Sequence, residues 1–209
     1  MKAINEKKLY DLLYKSFVCK DNERASGVFH ENGHLYASNG HIISRIKYNY
    51  PPEKEGISIN KDGNKIDKPA KYEDLITDPS LYGEIIDIDT VEKLKIGAKK
   101  LRRIRRKDFE PIIDTGLTPI FDDYCNKIIA YRAVYLKAAF DLFNTIKEDF
   151  NILFRTGDKI YDKRLIFRSL KSDTVVEIMP VNISTYEVEN MDSIFTIDEA
   201  AKFEKGEGK

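Results

Sequence analysis

The densest chemistry in this sequence is positive charge. Residues 93 to 107 carry Lys93, Lys95, Lys99, Lys100, Arg102, Arg103, Arg105, Arg106 and Lys107, with no acid among them. Cations along one helix neutralise phosphates without reading bases, an attraction that weakens as salt rises. Charge runs are also commonly plain solvated surface paired with acids elsewhere. The histidines form a second set, since His30, His34 and His41 lie close together in sequence. A zinc site would need them to converge with a fourth ligand. His30 and His34 sit either side of a tight turn and no fourth ligand stands out, so polar positions flanking turns are the simpler reading. Acidic pairs come third. Asp87 and Asp89 alternate at a strand end, and Asp122-Asp123 falls in a loop stretch. Two carboxylates can hold Mg²⁺ for nuclease chemistry, but the further acids such a site uses are missing, and strand-end capping competes. There is no glycine-rich phosphate loop and no GxSxG nucleophile motif. The residues therefore give no positive reason for an enzyme, and they imply no metal and no cofactor.

The elements that must position these groups follow from periodicity. Leu9, Leu12, Leu13 and Phe17 recur at helical spacing, which predicts a helix over 5 to 18. "ASGVFHENGHLYASNGHIISRIKYNY" then reads as three short strands. Its Asn32-Gly33 and Asn39-Gly40 pairs predict type I′ turns, because both turn positions need positive φ. Residues 51 to 83 are polar and turn-rich and read as short strands in a long surface excursion. A strand from Glu84 to Ile88 leads into a basic helix starting near Asp89 or Thr90, with Val91, Leu94, Ala98 and Leu101 inward. "PIIDTG" and "KIIAYR" read as strands, and residues 135 to 147 as a third helix. "FNILFRTG", "RLIFRSL" and "TVVEIMPVNI" close the pattern as antiparallel strands. A helix-then-strands unit thus recurs over 5–48, 89–116 and 135–183. The expected class is α+β, antiparallel sheets with helices on one face.

Bulk composition bounds the function. A chain of 209 residues can bury a real core. Its 35 basic and 35 acidic residues balance, which argues against a polycation that coats nucleic acid but allows a locally basic face. Cys19 and Cys125 have no metal-ligand spacing and read as reduced thiols. "MKAINEKKLY" has no apolar signal region, and no apolar run is long enough to span a bilayer. A cytoplasmic protein away from membranes is expected.

Three stretches carry a resemblance. "LYASNGHIIS" resembles the "ATDGHRLA" segment of bacterial sliding clamps, the β subunit of DNA polymerase III. "YRAVYLKAAFDLF" resembles that family's "YLLDVL"-type helix, and "FNILF", "LIFRSL" and "VVEIMPVNI" are similar to the strands that end in "VVMPMRL". The three occur in the family's order and cover roughly half the chain. The resemblance implies a DNA-clamp-like fold without catalysis, whose basic helices face duplex DNA. That role would fall to Lys95, Lys99, Lys100, Arg102, Arg103, Arg105, Arg106 and Lys107. It also implies an apolar pocket for short peptides, often ending in Leu-Phe, carried by replication or repair proteins. Matched by motif, its walls would be Ser38, Gly40, His41, Ile42, Ile43, Glu177, Ile178 and Met179. The sequence departs from the pattern at Asn39, where the family has Asp, at Ile42, where it has Arg, and at Glu177, where an apolar wall residue is expected. The length has room for one clamp-like domain over 1–183, with 51–83 as an insertion and 184–209 as a tail whose "NMDSIF" loosely resembles a clamp-binding peptide. A ring would then need more copies than usual. A clamp-fold adaptor that binds only protein, and a nuclease built on Asp87 and Asp89, are the alternatives.

Overall fold

The computed structural model describes residues 5–67, 69–86, 91–92, 94–95, 98, 117–122, 127–156 and 163–180. Helix α1 (Glu6–Ser16) begins where Asn5 Oδ1 accepts the Lys8 amide at 3.0 Å. Leu9, Leu13 and Phe17, four residues apart, fall on one side and are fully buried. Strands β1 (Gly27–Glu31), β2 (His34–Ser38) and β3 (Ile42–Lys47) follow as an antiparallel meander. Asn32 and Gly33 both take positive φ, +51° and +72°, as a type I′ turn requires. The second turn differs from its expectation. Only Gly40 has positive φ, +87°, the glycine-first pattern of a type II′ turn. Asn39 contributes through its side chain instead, with Oδ1 accepting the His41 and Ile42 amides at 3.0 and 3.1 Å.

The second half repeats this plan. Helix α2 (Ala133–Ile146) ends on Lys147 in the left-handed region, and Leu136, Ala139, Phe140, Phe143 and Ile146 are buried along it. Strands β9 (Phe150–Arg155), β10 (Leu165–Ser169) and β11 (Val175–Ile178) form the second meander. Between the halves lie β4 (Ile57–Asn60), β5 (Lys65–Ile66), β6 (Tyr82–Ile85) and the hairpin of β7 (Leu117–Asp122) with β8 (Lys127–Arg132). Among the described residues nine strands make one sheet in the order β5-β4-β1-β2-β3-β11-β10-β9-β6, and β3 joins β11 at its centre. Both helices pack on the same sheet face. Leu9, Leu13 and Phe17 share one core with Leu136, Ala139, Phe143, Ile42, Ile152, Phe167, Val176 and Ile178. The α+β class with helices on one face is what the sequence patterns predict. The middle helix-and-strands unit, 89–116, lies mostly outside the described residues. Its helical residues Leu94 and Ala98 are buried in the same core.

Two expectations are corrected. Asp122 ends strand β7 opposite Lys127 and is not in a loop. Residues 51–83 supply the expected short strands, β4, β5 and the start of β6, at the sheet edges. The rest is not only surface excursion, because residues 70–77 cover the face opposite the helices. There Tyr72, 1% exposed, packs with Phe29, Tyr36 and Ile43, its ring stacked on Tyr36 at 6.3 Å. This covering segment is latched by Glu177. Its fully buried carboxylate accepts the Thr77 amide at 2.6 Å and the Thr77 hydroxyl at 2.7 Å. Arg164 donates to the same carboxylate at 2.9 Å and to the Leu75 carbonyl at 2.7 Å. Removing the carboxylate orphans a buried amide and an arginine together. Glu177→Ala is therefore expected to cost about 3 kcal/mol and Glu177→Gln about 1 kcal/mol, read as shifts in the urea midpoint. Equal midpoints for all three chains would mean that the latch contributes nothing.

His30 sits at the centre of an aromatic group on the helix side of β1. Its Nδ1 lies 2.9 Å from the Ile57 carbonyl and its Nε2 2.7 Å from the Tyr10 hydroxyl. The carbonyl can only accept, so Nδ1 carries the proton and Nε2 accepts from Tyr10. Burial pulls the imidazole pKa below its ordinary 6.5, against the opposing pull of the Ile57 carbonyl. The unfolded chain therefore binds a proton near pH 6.5 that the folded chain refuses. This group leaves stability untouched above that pH and lowers it as the pH falls through and below it. The urea midpoint should drop between pH 7.5 and 5.5, and His30→Gln should drop less over the same interval.

Candidate functional site

The β3–β11 seam sets the two motif stretches side by side. Ile43 pairs with Glu177 and Ile42 with Ile178. One step further, the Met179 amide donates to the His41 carbonyl at 2.8 Å, so the Gly40-His41 turn lies against the start of Met179-Pro180. Strand alternation then divides the eight motif residues, because neighbours point to opposite faces. Ile42 and Ile178 enter the core beneath the helices, 1% and 0% exposed. Ile43 and Glu177 face the other way and lie under residues 70–77. Ser38 is buried, and its hydroxyl accepts the Gly40 amide at 3.1 Å. The remaining three form the accessible surface: Gly40 and His41 at the turn and a half-buried Met179.

A residue absent from the motif set joins them. Tyr135, on the first turn of α2, stacks on the His41 ring at 5.8 Å with the planes 19° apart. The accessible patch is thus two rings, one thioether and an open glycine turn, where a Cβ added at Gly40 would meet nothing within 4 Å. Flexible sulfur and flat rings suit varied apolar anchors. Tyr135 falls within the clamp-like helix stretch "YRAVYLKAAFDLF" but outside the pocket set and on the other half of the chain, so only the assembled sheet brings it to the patch.

The departures from the clamp pattern have structural partners. Asn39 does what an aspartate cannot. While its Oδ1 accepts two turn amides, its Nδ2 donates to the Ser16 carbonyl at 3.2 Å, tying the turn to the end of α1. Glu177 is the latch for Thr77 and Arg164. Ile42 belongs to the core.

The other candidate groups are dispersed. His30 bonds to Tyr10, His34 lies 2.7 Å from Asp173 Oδ2, and His41 stacks on Tyr135. Burial pushes the Asp173 carboxyl up, but the hydrogen bond and charge of His34 outweigh it and hold the pKa below the ordinary value. Among the described residues no three His, Cys, Asp or Glu side chains converge as metal ligands. Of the basic set, Lys95 is described and its ammonium pairs with Glu92 at 2.5 Å. Lys99, Lys100, Arg102, Arg103, Arg105, Arg106 and Lys107 lie outside the described residues, as do Asp87, Asp89, Asp123, Cys125 and the tail. Among the described residues no helix is long and apolar enough to cross a membrane.

No protein-family model and no curated protein matches the sequence. Solved structures do match. The sliding clamp (DNA polymerase III subunit beta) of Bartonella birtlesii bound to griselimycin superposes with a TM-score of 0.52 and 11% identity, over 86% of this chain and 65% of that one. A Pseudomonas aeruginosa DNA polymerase sliding clamp gives 0.51 and 12%, over 85% and 63%. A putative DNA polymerase III beta subunit from Eubacterium rectale gives 0.50 and 11%, over 90% and 66%. This chain spans less than two thirds of the length of each. Its architecture, a large antiparallel sheet with both helices on one face, is the sliding-clamp fold.

Proposed function

We propose that this protein is a non-catalytic, clamp-fold, DNA-associated protein that tethers partners to duplex DNA through a peptide-binding patch at the β3–β11 seam. One observation carries the reading. In a chain of clamp fold, the two stretches that resemble the clamp's peptide-binding walls meet, with His41, Met179 and Tyr135 accessible at the junction. A short peptide from a replication or repair protein would lay its apolar anchors across that patch. The basic run from Lys95 to Lys107 would meet the phosphate backbone without reading bases, which leaves the protein free to slide. Encirclement of DNA in the cytoplasm would take several copies, since one chain spans less than two thirds of the clamp subunits it superposes on. A clamp-fold adaptor without DNA affinity is the second reading, favoured by the zero formal net charge.

Two variants separate these readings. Replacing Arg102, Arg103, Arg105 and Arg106 with Gln should lower the slope of log affinity against log salt by about 0.9 for each phosphate that the variant no longer neutralises. An unchanged slope would remove the basic run from the interface, and no duplex binding by the parent chain would leave the adaptor reading. Met179→Ala should weaken a short Leu-Phe-ending peptide by about tenfold while leaving duplex binding intact. Equal peptide affinity in that variant would move the patch elsewhere.

A further inference from the structure

At the opposite end of the β2–β3 hairpin from Gly40, a cleft of about 510 Å³ opens between the Asn32-Gly33 turn and the segment after β3. It is lined by Gly33, Tyr48, Asn49, Tyr50, Pro52 and Glu55. A strand of the length of β2 places it about 17 Å from the His41–Met179 patch, so it is a separate surface. Volumes in this range suit one side chain or a small ligand.

The cleft is a constructed one. Tyr50 is fixed at both ends. Its hydroxyl accepts the Gly33 amide at 3.0 Å and donates to Glu55 Oε2 at 2.7 Å. Its ring meets the His30 ring edge-on at 5.0 Å. Burial, with the Glu55 hydrogen bond second, lifts the Tyr50 pKa to about 12, so the phenol keeps the proton it donates. Glu55 Oε1 accepts the Asn32 amide at 2.9 Å. That bond, followed by the Tyr50 bond, holds the Glu55 carboxyl below its ordinary pKa, so it is anionic at neutral pH. Tyr48 is oriented by its amide, which donates to the Gly33 carbonyl at 3.0 Å, and by the Tyr10 ring edge at 6.4 Å.

Among the described residues no lysine or arginine lies within ion-pair distance of Glu55. The adjacent Lys54 turns away, 3.9 Å from Glu6 and 5.7 Å from the centre of the Tyr10 ring. Lys47 ends beside Gly33 and pairs with neither Glu55 oxygen. An exposed carboxylate accepts about four hydrogen bonds, two on each oxygen. Here each oxygen has one taken by the protein, which leaves each with capacity for one more. Two adjacent acceptors beside tyrosine rings match a planar cation with parallel donors and an apolar stem. A lysine ammonium would offer a more strongly hydrated point charge and no plane to stack.

We infer that this cleft binds an arginine side chain presented by a partner protein, with the guanidinium forked on Glu55 and its plane against the tyrosine rings. The clamp reading is not needed for this, and its failure would leave the cleft untouched.

The test follows the Tyr48 and Tyr50 ring resonances of the full chain by NMR during titration with N-acetyl-arginine amide. The neutral isostere N-acetyl-citrulline amide and N-acetyl-lysine amide serve as comparison probes. Saturable shifts confined to these rings are expected with the arginine probe, with citrulline weaker by about tenfold. Glu55→Gln keeps an acceptor for the Asn32 amide and should lose the arginine response, and Tyr48→Leu should reduce it. Resonances of the β10 and β11 residues report that both variants stay folded. No saturable shift, or equal shifts with citrulline, would overturn the proposal. Equal binding of the lysine probe would overturn the fork and leave only a general cation site. A response retained in Glu55→Gln would also overturn it.

Discussion

The structure depends on four residues of β3 finding four residues of β11. The contacts across this seam join positions far apart in sequence, Lys47 and Thr174 by 127 residues and the paired strand residues by more, so no local preference can supply them. Each half taken alone is a helix on a narrow meander with one exposed central edge. Pairing the two edges satisfies both rows of backbone donors and acceptors at once. It also places α1 beside α2 on the same face, so that Leu13 and Phe143 belong to one core instead of two thin ones. Chain closure over that distance costs entropy before the pairing repays it, so the seam is a non-local contact of the kind that slows folding.

The seam also decides what the shared motif residues can do. Pairing in this register sends Ile42 and Ile178 inward and Ile43 and Glu177 outward. Residues 70–77 then seal the outward pair, with Tyr72 over Ile43 and Thr77 on Glu177. Only the residues beyond the last paired positions, His41 and Met179, remain at the surface. A buried glutamate flanked on its own face by Ile43 and Ile166 is costly unless its oxygens are filled. Thr77 and Arg164 fill them, and the outcome is a cover held by directional bonds as well as by apolar contact. Asn39 follows the same logic. Its amide bridges two turn N–H groups and the last carbonyl of α1, so the substitution strengthens the attachment of the turn to its own helix.

Much of this was legible in the sequence where the interaction is local. The stripe of Leu9, Leu13 and Phe17, the Asn32-Gly33 pair and the short apolar run in "RLIFRSL" each report a preference of a few consecutive residues. The Met179–His41 contact was legible only through the clamp resemblance, which supplied the register that periodicity lacks. Three features were hidden for physical reasons. β7 contains Pro119, which reads as a breaker yet sits in a hairpin whose two strands, among the described residues, are both edges. The cover over the outer face was masked by charge and turn residues around Tyr72 and Thr77. The Thr77 partner lies 100 residues away. Tyr135 reads as one more position on an amphipathic helix until the fold brings the β2–β3 turn against it.

Charge adds the last constraint. The whole chain balances 35 bases against 35 acids, but residues 93–107 hold nine bases and no acid. The rest of the molecule therefore carries nine more acids than bases. Such a chain is neutral overall but carries its positive charge unevenly along the sequence. At a Debye length of about 8 Å in physiological salt, a polyanion responds to the charges nearest to it and little to the net charge of the whole chain. Under the proposed function this asymmetry would orient the protein before contact, with the basic run toward phosphate. It would also keep the acid-rich remainder, including the anionic Glu55 beside Tyr48 and Tyr50, turned toward whatever cationic segment a partner offers.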